Sequence, residues 1–120
     1  MTSAVEVIMV QKFFVMQLHP SAEEEYRRRH NPIWKELEET LRAHGVRRYS
    51  ISLHPGTRQL YACAEVEDEA RWNAIAETAV CRRWWDYMAD LMEVNEDRSP
   101  QVIELQELFN LESMNSDEQR

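Results

Sequence analysis

Glycine is almost missing from this chain, with only Gly45 and Gly56 among 120 residues. Neither belongs to a glycine-rich run, so the sequence contains no phosphate-binding loop of the nucleotide-binding kind. The two cysteines, Cys63 and Cys81, form no CxxC pair, and the four histidines lack the spacing of metal ligands. The sequence therefore predicts a site that works without a metal and without a bound cofactor.

Long apolar runs and clustered positive charge are missing as well. The longest apolar runs, such as FFVM at 13–16, are far shorter than the roughly 18 residues of a membrane span. A formal net charge of −8 disfavours nucleic acids and anionic membranes as partners. The single basic run, Arg27–Arg29, is typical of a solvated helix face. The N-terminal residues lack the features of a signal peptide, and both cysteines have the apolar neighbours of reduced thiols, so we expect a soluble cytoplasmic protein.

The scarcity of glycine and proline makes the order of secondary structure easy to read. The predicted elements are a strand at 11–19, a helix from Ser21 to Gly45, strands at 46–53 and 59–67, a helix that begins after Asp68 and restarts at Thr78, and a strand at 102–111. Ser21 and Glu24 have the spacing of a capping box, and Gly45 is placed to end the first helix. The order β-α-β-β-α-β predicts an α+β fold, the ferredoxin-like plait.

The first predicted strand is apolar on both faces, with Phe13 and Val15 on one side and Phe14 and Met16 on the other. In a plait the helices cover only one face of the sheet, so the other face needs a second cover. A second copy of the chain is the simplest one, which predicts a homodimer in the form of a dimeric α/β barrel. We expect the domain to span 11–111, after an N-terminal extension at 1–10 and before a disordered tail at 112–120.

A histidine interrupts the apolar stripe of the first helix. The stripe consists of Tyr26, His30, Ile33, Leu37 and Leu41. A histidine at such a position either is a hydrogen-bonded core residue or lines a cavity. Pro32 lacks the N–H for the helical hydrogen bond and crowds the preceding turn, so we expect the helix to bend or break just after His30.

The adjacent Trp84 and Trp85 are the second unusual feature. Neighbouring residues on a helix point about 100° apart, so the two rings cannot enter the same core site. Either both are core residues of different layers, or one of them borders a cavity. Aromatic rings with tyrosines nearby would suit a sugar, which offers C–H groups to a flat apolar surface and hydroxyls to phenols.

Two segments carry a resemblance to a known family. YRRRHNPIW at 26–34 and CRRWW at 81–85 resemble the motifs of L-rhamnose mutarotases, and the resemblance extends over about 11–111. It implies a cytoplasmic homodimer of ferredoxin-like subunits that interconverts the α and β anomers of L-rhamnopyranose. It also implies that His30 is the proton donor and that Tyr26, Tyr49, Trp84 and Trp85 contact the substrate.

The residues are compatible with that chemistry but leave two alternatives. Histidine carries a proton close to neutral pH, as the opening of a hemiacetal ring requires. One alternative is a non-catalytic dimeric α/β barrel that binds a small hydrophobic ligand, since the fold alone does not determine function. The other keeps the reaction but exchanges L-rhamnose for a close pyranose such as L-lyxose, L-mannose or L-fucose.

Overall fold

The computed structural model describes residues 8–111, which form one antiparallel sheet with helices packed on one face. The elements are β1 (Val10–Gln17), α1 (Glu23–Arg29), α2 (Lys35–Ala43), β2 (Val46–His54), β3 (Gln59–Val66), α3 (Glu69–Ala74), a 3₁₀ turn (Ile75–Glu77), α4 (Ala79–Met88) and β4 (Ile103–Glu104). The predicted extension at 1–10 and the tail at 112–120 fall wholly or mostly outside the described residues. No helix within 8–111 is long and apolar enough to cross a membrane.

The four strands lie in the order β2-β3-β1-β4, and every neighbouring pair is antiparallel. Phe14 pairs with Ala62 of β3 on one side and with Glu104 of β4 on the other. The predicted hairpin of β2 and β3 is confirmed, with Tyr49 opposite Ala64. The α+β fold with a ferredoxin-like order of elements is therefore confirmed.

The first predicted helix is in fact two helices. α1 ends at Arg29, His30 is its C-cap, and α2 begins only at Lys35, after a cis peptide bond between Asn31 and Pro32. The break after His30 is the one that Pro32 predicts. At the end of α2, Gly45 has a φ of 89° and terminates the helix as expected.

The predicted capping box at Ser21 is wrong. Ser21 has a φ of 66°, whereas a capping serine needs extended backbone geometry. The N-cap of α1 is instead Ala22, whose own N–H donates to the His19 carbonyl at 3.3 Å. The expected caps of the later helices are confirmed, because Asp68 accepts from the Arg71 N–H and Thr78 from the Cys81 N–H.

The last predicted strand, 102–111, is much shorter in the structure. Only Ile103–Glu104 forms β4, and the Leu105 N–H adds a hydrogen bond of 2.9 Å to the Phe13 carbonyl. Beyond it, Leu108 and Phe109 are 88% and 65% exposed. Beyond Leu105 the segment no longer pairs with β1, and its apolar side chains are exposed.

The helices pack on the face of the sheet that carries Phe14, Met16 and Leu18. Buried side chains from the sheet and from α1, α2 and α4 form the main cluster there, among them Met16, Leu18, Leu60, Tyr26, Leu37, Trp84 and Met88. Val15 and Met16 point to opposite faces of β1, yet each is only 6% exposed. Both faces of β1 therefore bury an apolar side chain within the single chain.

Candidate active site

A cleft of about 1050 Å³ opens between the helices and the inner face of the sheet. All five side chains that the sequence singled out line it: Tyr26, His30, Tyr49, Trp84 and Trp85. Apolar side chains supply much of the remaining wall, including Phe14, Met16, Ile33, Leu60, Trp72 and Met88. The break between α1 and α2 places His30 at the rim of this space rather than within a continuous helix.

The break also fixes the tautomer of His30. The imidazole Nδ1 lies 2.9 Å from the backbone carbonyl oxygen of Tyr26, one turn earlier in α1. A carbonyl oxygen only accepts hydrogen bonds, so Nδ1 carries the proton of the neutral ring. Nε2 is then left with a free lone pair, which is the state that a general base needs.

Aromatic rings surround the imidazole. The Tyr26 ring stacks on it with centroids 4.2 Å apart, and the Trp84 ring meets it edge to face at 5.2 Å. Burial lowers the pKa of His30, and the hydrogen bond to the Tyr26 carbonyl opposes this only in part. Burial, rather than a neighbouring arginine, therefore disfavours the charged form of the imidazole. Arg28 and Arg29 are themselves engaged with carboxylates.

Two phenols approach the cleft from different elements. Burial raises the pKa of Tyr26, and the nearby Tyr49 raises it further. Tyr49 projects from β2 beside Phe14 and Trp72, and although 39% of its surface remains accessible, the surrounding walls also raise its pKa. Both side chains therefore stay protonated at neutral pH and can donate hydrogen bonds to an oxygen-rich ligand.

Both tryptophans border the cleft, although their environments differ. Trp84 is 8% exposed, belongs to the core and contacts His30. Trp85 is half-buried and lies under the guanidinium of Arg82 at 5.4 Å. The direct contacts thus join Tyr26, His30 and Trp84, while Tyr49 and Trp85 line the same space without a ring contact to the imidazole.

Several other groups at the site have little signature in the sequence. Trp34 meets Trp84 edge to face at 5.1 Å and packs against Tyr87 at 5.2 Å, which extends the aromatic wall beyond His30. The position of Trp34, four residues after His30 in NPIW, was the available indication. Polar side chains also line the cleft: Asn31, Asn73, Asn95, Arg98 and Ser99. Within 8–111 no group of three His, Cys, Asp or Glu side chains is arranged to hold a metal ion.

Taken together, the site offers one neutral imidazole with a free nitrogen, two protonated phenols and broad aromatic surfaces. An imidazole can move a proton between two oxygen atoms of one ligand if both lie within hydrogen-bond reach of Nε2. Aromatic faces suit the C–H groups of a sugar ring, and phenols suit its hydroxyls. The cleft is therefore fitted for acid–base chemistry on a small polyhydroxylated molecule with an apolar face.

The comparisons of the sequence with known proteins agree on one family. The model of a family described as L-rhamnose mutarotase matches residues 11–111. The chain is 56% identical to an L-rhamnose mutarotase of Shigella flexneri and 55% identical to one of Escherichia coli, in each case over 86% of this chain and 99% of the relative.

Solved structures agree with the sequence relatives. A crystal structure of an L-rhamnose mutarotase from Formosa agariphila superposes with a TM-score of 0.78 at 35% identity, covering 85% of this chain and 98% of that one. A putative antibiotic biosynthesis monooxygenase from Nitrosomonas europaea superposes with a TM-score of 0.60 at 16% identity, covering 89% and 97%. The second likeness concerns the fold alone.

Proposed function

The chain belongs to the L-rhamnose mutarotase family, and we propose that it interconverts the α and β anomers of L-rhamnopyranose in the cleft beside His30. The observation that carries this proposal is the hydrogen bond from His30 Nδ1 to the Tyr26 carbonyl. It leaves Nε2 as a proton acceptor inside an aromatic cleft. A cleft that only stored a hydrophobic ligand would not need such a group, and the family membership does not favour that alternative.

The proposed reaction moves one proton within the sugar. His30 Nε2 accepts the proton of the O1 hydroxyl while the bond between C1 and the ring oxygen breaks and its electron pair passes to that oxygen. The imidazolium then donates the proton to the ring oxygen, which leaves the open-chain aldehyde and a neutral histidine. Rotation about C1–C2 followed by the reverse steps closes the other anomer, so atoms and charge balance without a further reactant.

The substrate-binding roles follow from the surfaces of the cleft. We assign hydrogen bonds with sugar oxygens to the phenols of Tyr26 and Tyr49, because their raised pKa values keep both protonated. We assign contact with the C–H groups of the sugar to the rings of Trp84 and Trp85. L-rhamnose carries a methyl group in place of a hydroxymethyl group, and such a substituent suits an apolar wall like that of Met16 and Trp85.

Saturation-transfer NMR on equilibrated L-rhamnose tests the proposal directly. Irradiation of one anomeric proton should reduce the signal of the other faster when the protein is present. The same measurement on L-lyxose, L-mannose and L-fucose would rank the sugars. Unchanged exchange of L-rhamnose at micromolar protein would refute the proposed function, and faster exchange of another sugar of the panel would reassign the substrate.

A homodimer also forms part of the proposal, as does the extent of the domain over 11–111. The C-terminal segment of the described chain displays apolar side chains to solvent: Ile103, Leu105, Leu108, Phe109 and Leu111 are between 45% and 88% exposed. The neighbouring outer face of the sheet carries Phe13 and Tyr61. A second copy of the same chain, related by a two-fold axis, would bury both surfaces at once.

Sedimentation equilibrium tests the dimer. The wild-type protein should have twice the mass of one chain at micromolar concentration, and replacing Leu108 and Phe109 by glutamate should shift the equilibrium to the monomer. A wild-type monomer at such concentrations would refute the dimer. The two cysteines are free thiols, which is compatible with the cytoplasmic location that we propose.

A further inference from the structure

The arginine next to His30 is more deeply placed than its position in a basic run suggests. Only 12% of the Arg29 side chain is exposed, compared with 66% for Arg28. Arg29 donates from Nε to the Glu25 carboxylate at 2.7 Å, from Nη1 to the Tyr87 carbonyl oxygen at 2.6 Å, and from Nη1 to the Asp90 carboxylate at 3.0 Å. Its guanidinium also lies 4.4 Å from the centre of the Tyr87 ring.

These contacts join two separate parts of the fold. Glu25 and Arg29 lie on α1, in the turn and a half before His30, whereas Tyr87 lies in the last turn of α4 and Asp90 just beyond that helix. Trp84, whose ring edge meets the imidazole at 5.2 Å, lies one turn earlier on α4. The contacts of Arg29 therefore bridge the two helices close to the point where His30 meets Trp84.

The bridge is charged and geometrically specific. Arg29 holds the pKa of the Asp90 carboxyl below its usual range, and Arg28 together with Arg29 lowers the pKa of Glu25 to about 2. Both carboxylates consequently stay ionised at neutral pH. Arginine alone presents planar donors to several acceptors at once, and the Tyr87 carbonyl at the end of α4 favours a positive partner.

We propose that Arg29 is a positioning residue for the reaction, because it holds α1 against the end of α4 and so fixes the imidazole of His30 beside Trp84. Its effect on turnover rests on the proposed function, whereas its effect on the position of the ring does not. Arg29 itself need not touch the sugar. Loosening the bridge should misplace Nε2, and a displacement of about 1 Å can cost on the order of 10²-fold in rate.

The test compares Arg29→Gln with Arg83→Gln. Arg83 makes a matched control, since it also joins two helices through one carboxylate, that of Glu36 at 2.6 Å, but it is 53% exposed and joins α4 to α2 rather than to α1, the helix that His30 caps. For Arg29→Gln we expect kcat for anomer exchange to fall about 10- to 100-fold while KM changes little. For Arg83→Gln both should stay near the wild-type values. Arg29→Lys should recover part of kcat, because it restores the charge but not the planar set of donors.

A second readout does not depend on activity. In the free wild-type protein the ring protons of His30 should show nuclear Overhauser effects to Trp84, and these should weaken in Arg29→Gln while circular dichroism stays unchanged. If Arg29→Gln fails to fold, Arg29→Lys and Asp90→Asn take its place, with smaller losses of kcat in the same direction. Retention of kcat and of the contacts to Trp84 in these variants would overturn the positioning role. A wild-type protein that does not accelerate anomer exchange would refute the proposed function but leave this second readout intact.

Discussion

The helices α1 and α2 end in the same way, and of the two capping histidines His30 lines the cleft. His30 caps α1 and His44 caps α2. In each case the backbone N–H bonds back to carbonyls of the last turn, and the imidazole Nδ1 lies within 2.9 Å of the carbonyl oxygen four residues earlier. Both rings consequently carry their neutral proton on Nδ1 when hydrogen-bonded in this way.

The surroundings of the two rings differ completely. His30 stacks on Tyr26, meets the edge of Trp84 and lines the cleft. His44 is half-buried at the turn before Gly45, where the chain passes into β2. A local helix-end motif therefore sets the tautomer, and the wider fold decides whether the free nitrogen meets a ligand.

Replacing the two histidines in parallel should give the largest difference. A positioned acid–base group typically contributes about 10²- to 10⁴-fold, so His30→Ala should slow anomer exchange by that order. His44→Ala should leave the rate within about twofold, because its ring has the same tautomer but no place in the cleft. Saturation-transfer NMR measures both rates.

Circular dichroism and thermal unfolding of both variants provide the control for this comparison, because each loses the same helix-end hydrogen bond. Equal losses of rate in His30→Ala and His44→Ala would mean that the shared motif matters only for stability. The assignment of His30 as the proton carrier would then fail.

The second prediction concerns the stability contribution of Gly45, the residue that ends α2. Gly45 has a φ of 89°, and an added Cβ would lie 3.2 Å from Cβ of Glu67. Gly45→Ala should therefore lower the free energy of unfolding by about 1–2 kcal/mol, the cost of a left-handed conformation for an ordinary residue. Urea unfolding measures it, and anomer exchange by the folded fraction should be unchanged.

Gly56→Ala is the matched control at the turn between β2 and β3. There an added Cβ would meet the movable imidazole of His54 at 3.1 Å rather than a backbone-anchored atom. We expect a smaller loss of stability, below about 1 kcal/mol. A loss at Gly56 as large as at Gly45 would show that the conformation of Gly45 is not the cause.

The features that the sequence predicted well are those with local causes. Pro32 predicted the break, Gly45 predicted the end of α2, and the spacing of Tyr26 and His30 placed both side chains on one wall of the cleft. Each depends on the geometry of a few consecutive residues. The same local reasoning failed at Ser21, because the preceding turn gives that residue a left-handed backbone instead of a capping one.

The features that the sequence did not predict depend on distant residues. The partners of Arg29 at Tyr87 and Asp90 lie 58 and 61 residues along the chain, so RRR at 27–29 gave no indication of the bridge to α4. The early end of β4 is likewise not visible in the sequence, because the apolar spacing in 102–111 continues past Glu104. Local patterns thus indicated Tyr26, His30, Trp84 and Trp85 as candidates, whereas the contacts that hold these side chains in place come from tertiary structure.

The smallest expected effect is on the pH dependence of the reaction and of stability. Burial lowers the pKa of His30, and the groups that face its ring, Tyr26 and Trp84, are uncharged at neutral pH, while the nearby Arg29 is neutralised by Glu25 and Asp90. His30 is thus a base at pH 7, and the rate of exchange should fall only as the pH drops through a value below the ordinary 6.5 or so.

In the same pH interval the unfolded chain binds the proton before the folded chain does, so the free energy of unfolding should decrease slightly as the pH falls. His30→Gln should abolish that acidic step in the pH profile of stability. A midpoint for the rate at or above the ordinary value would mean that the imidazole of His30 is solvated, which would contradict its place among the rings of the cleft.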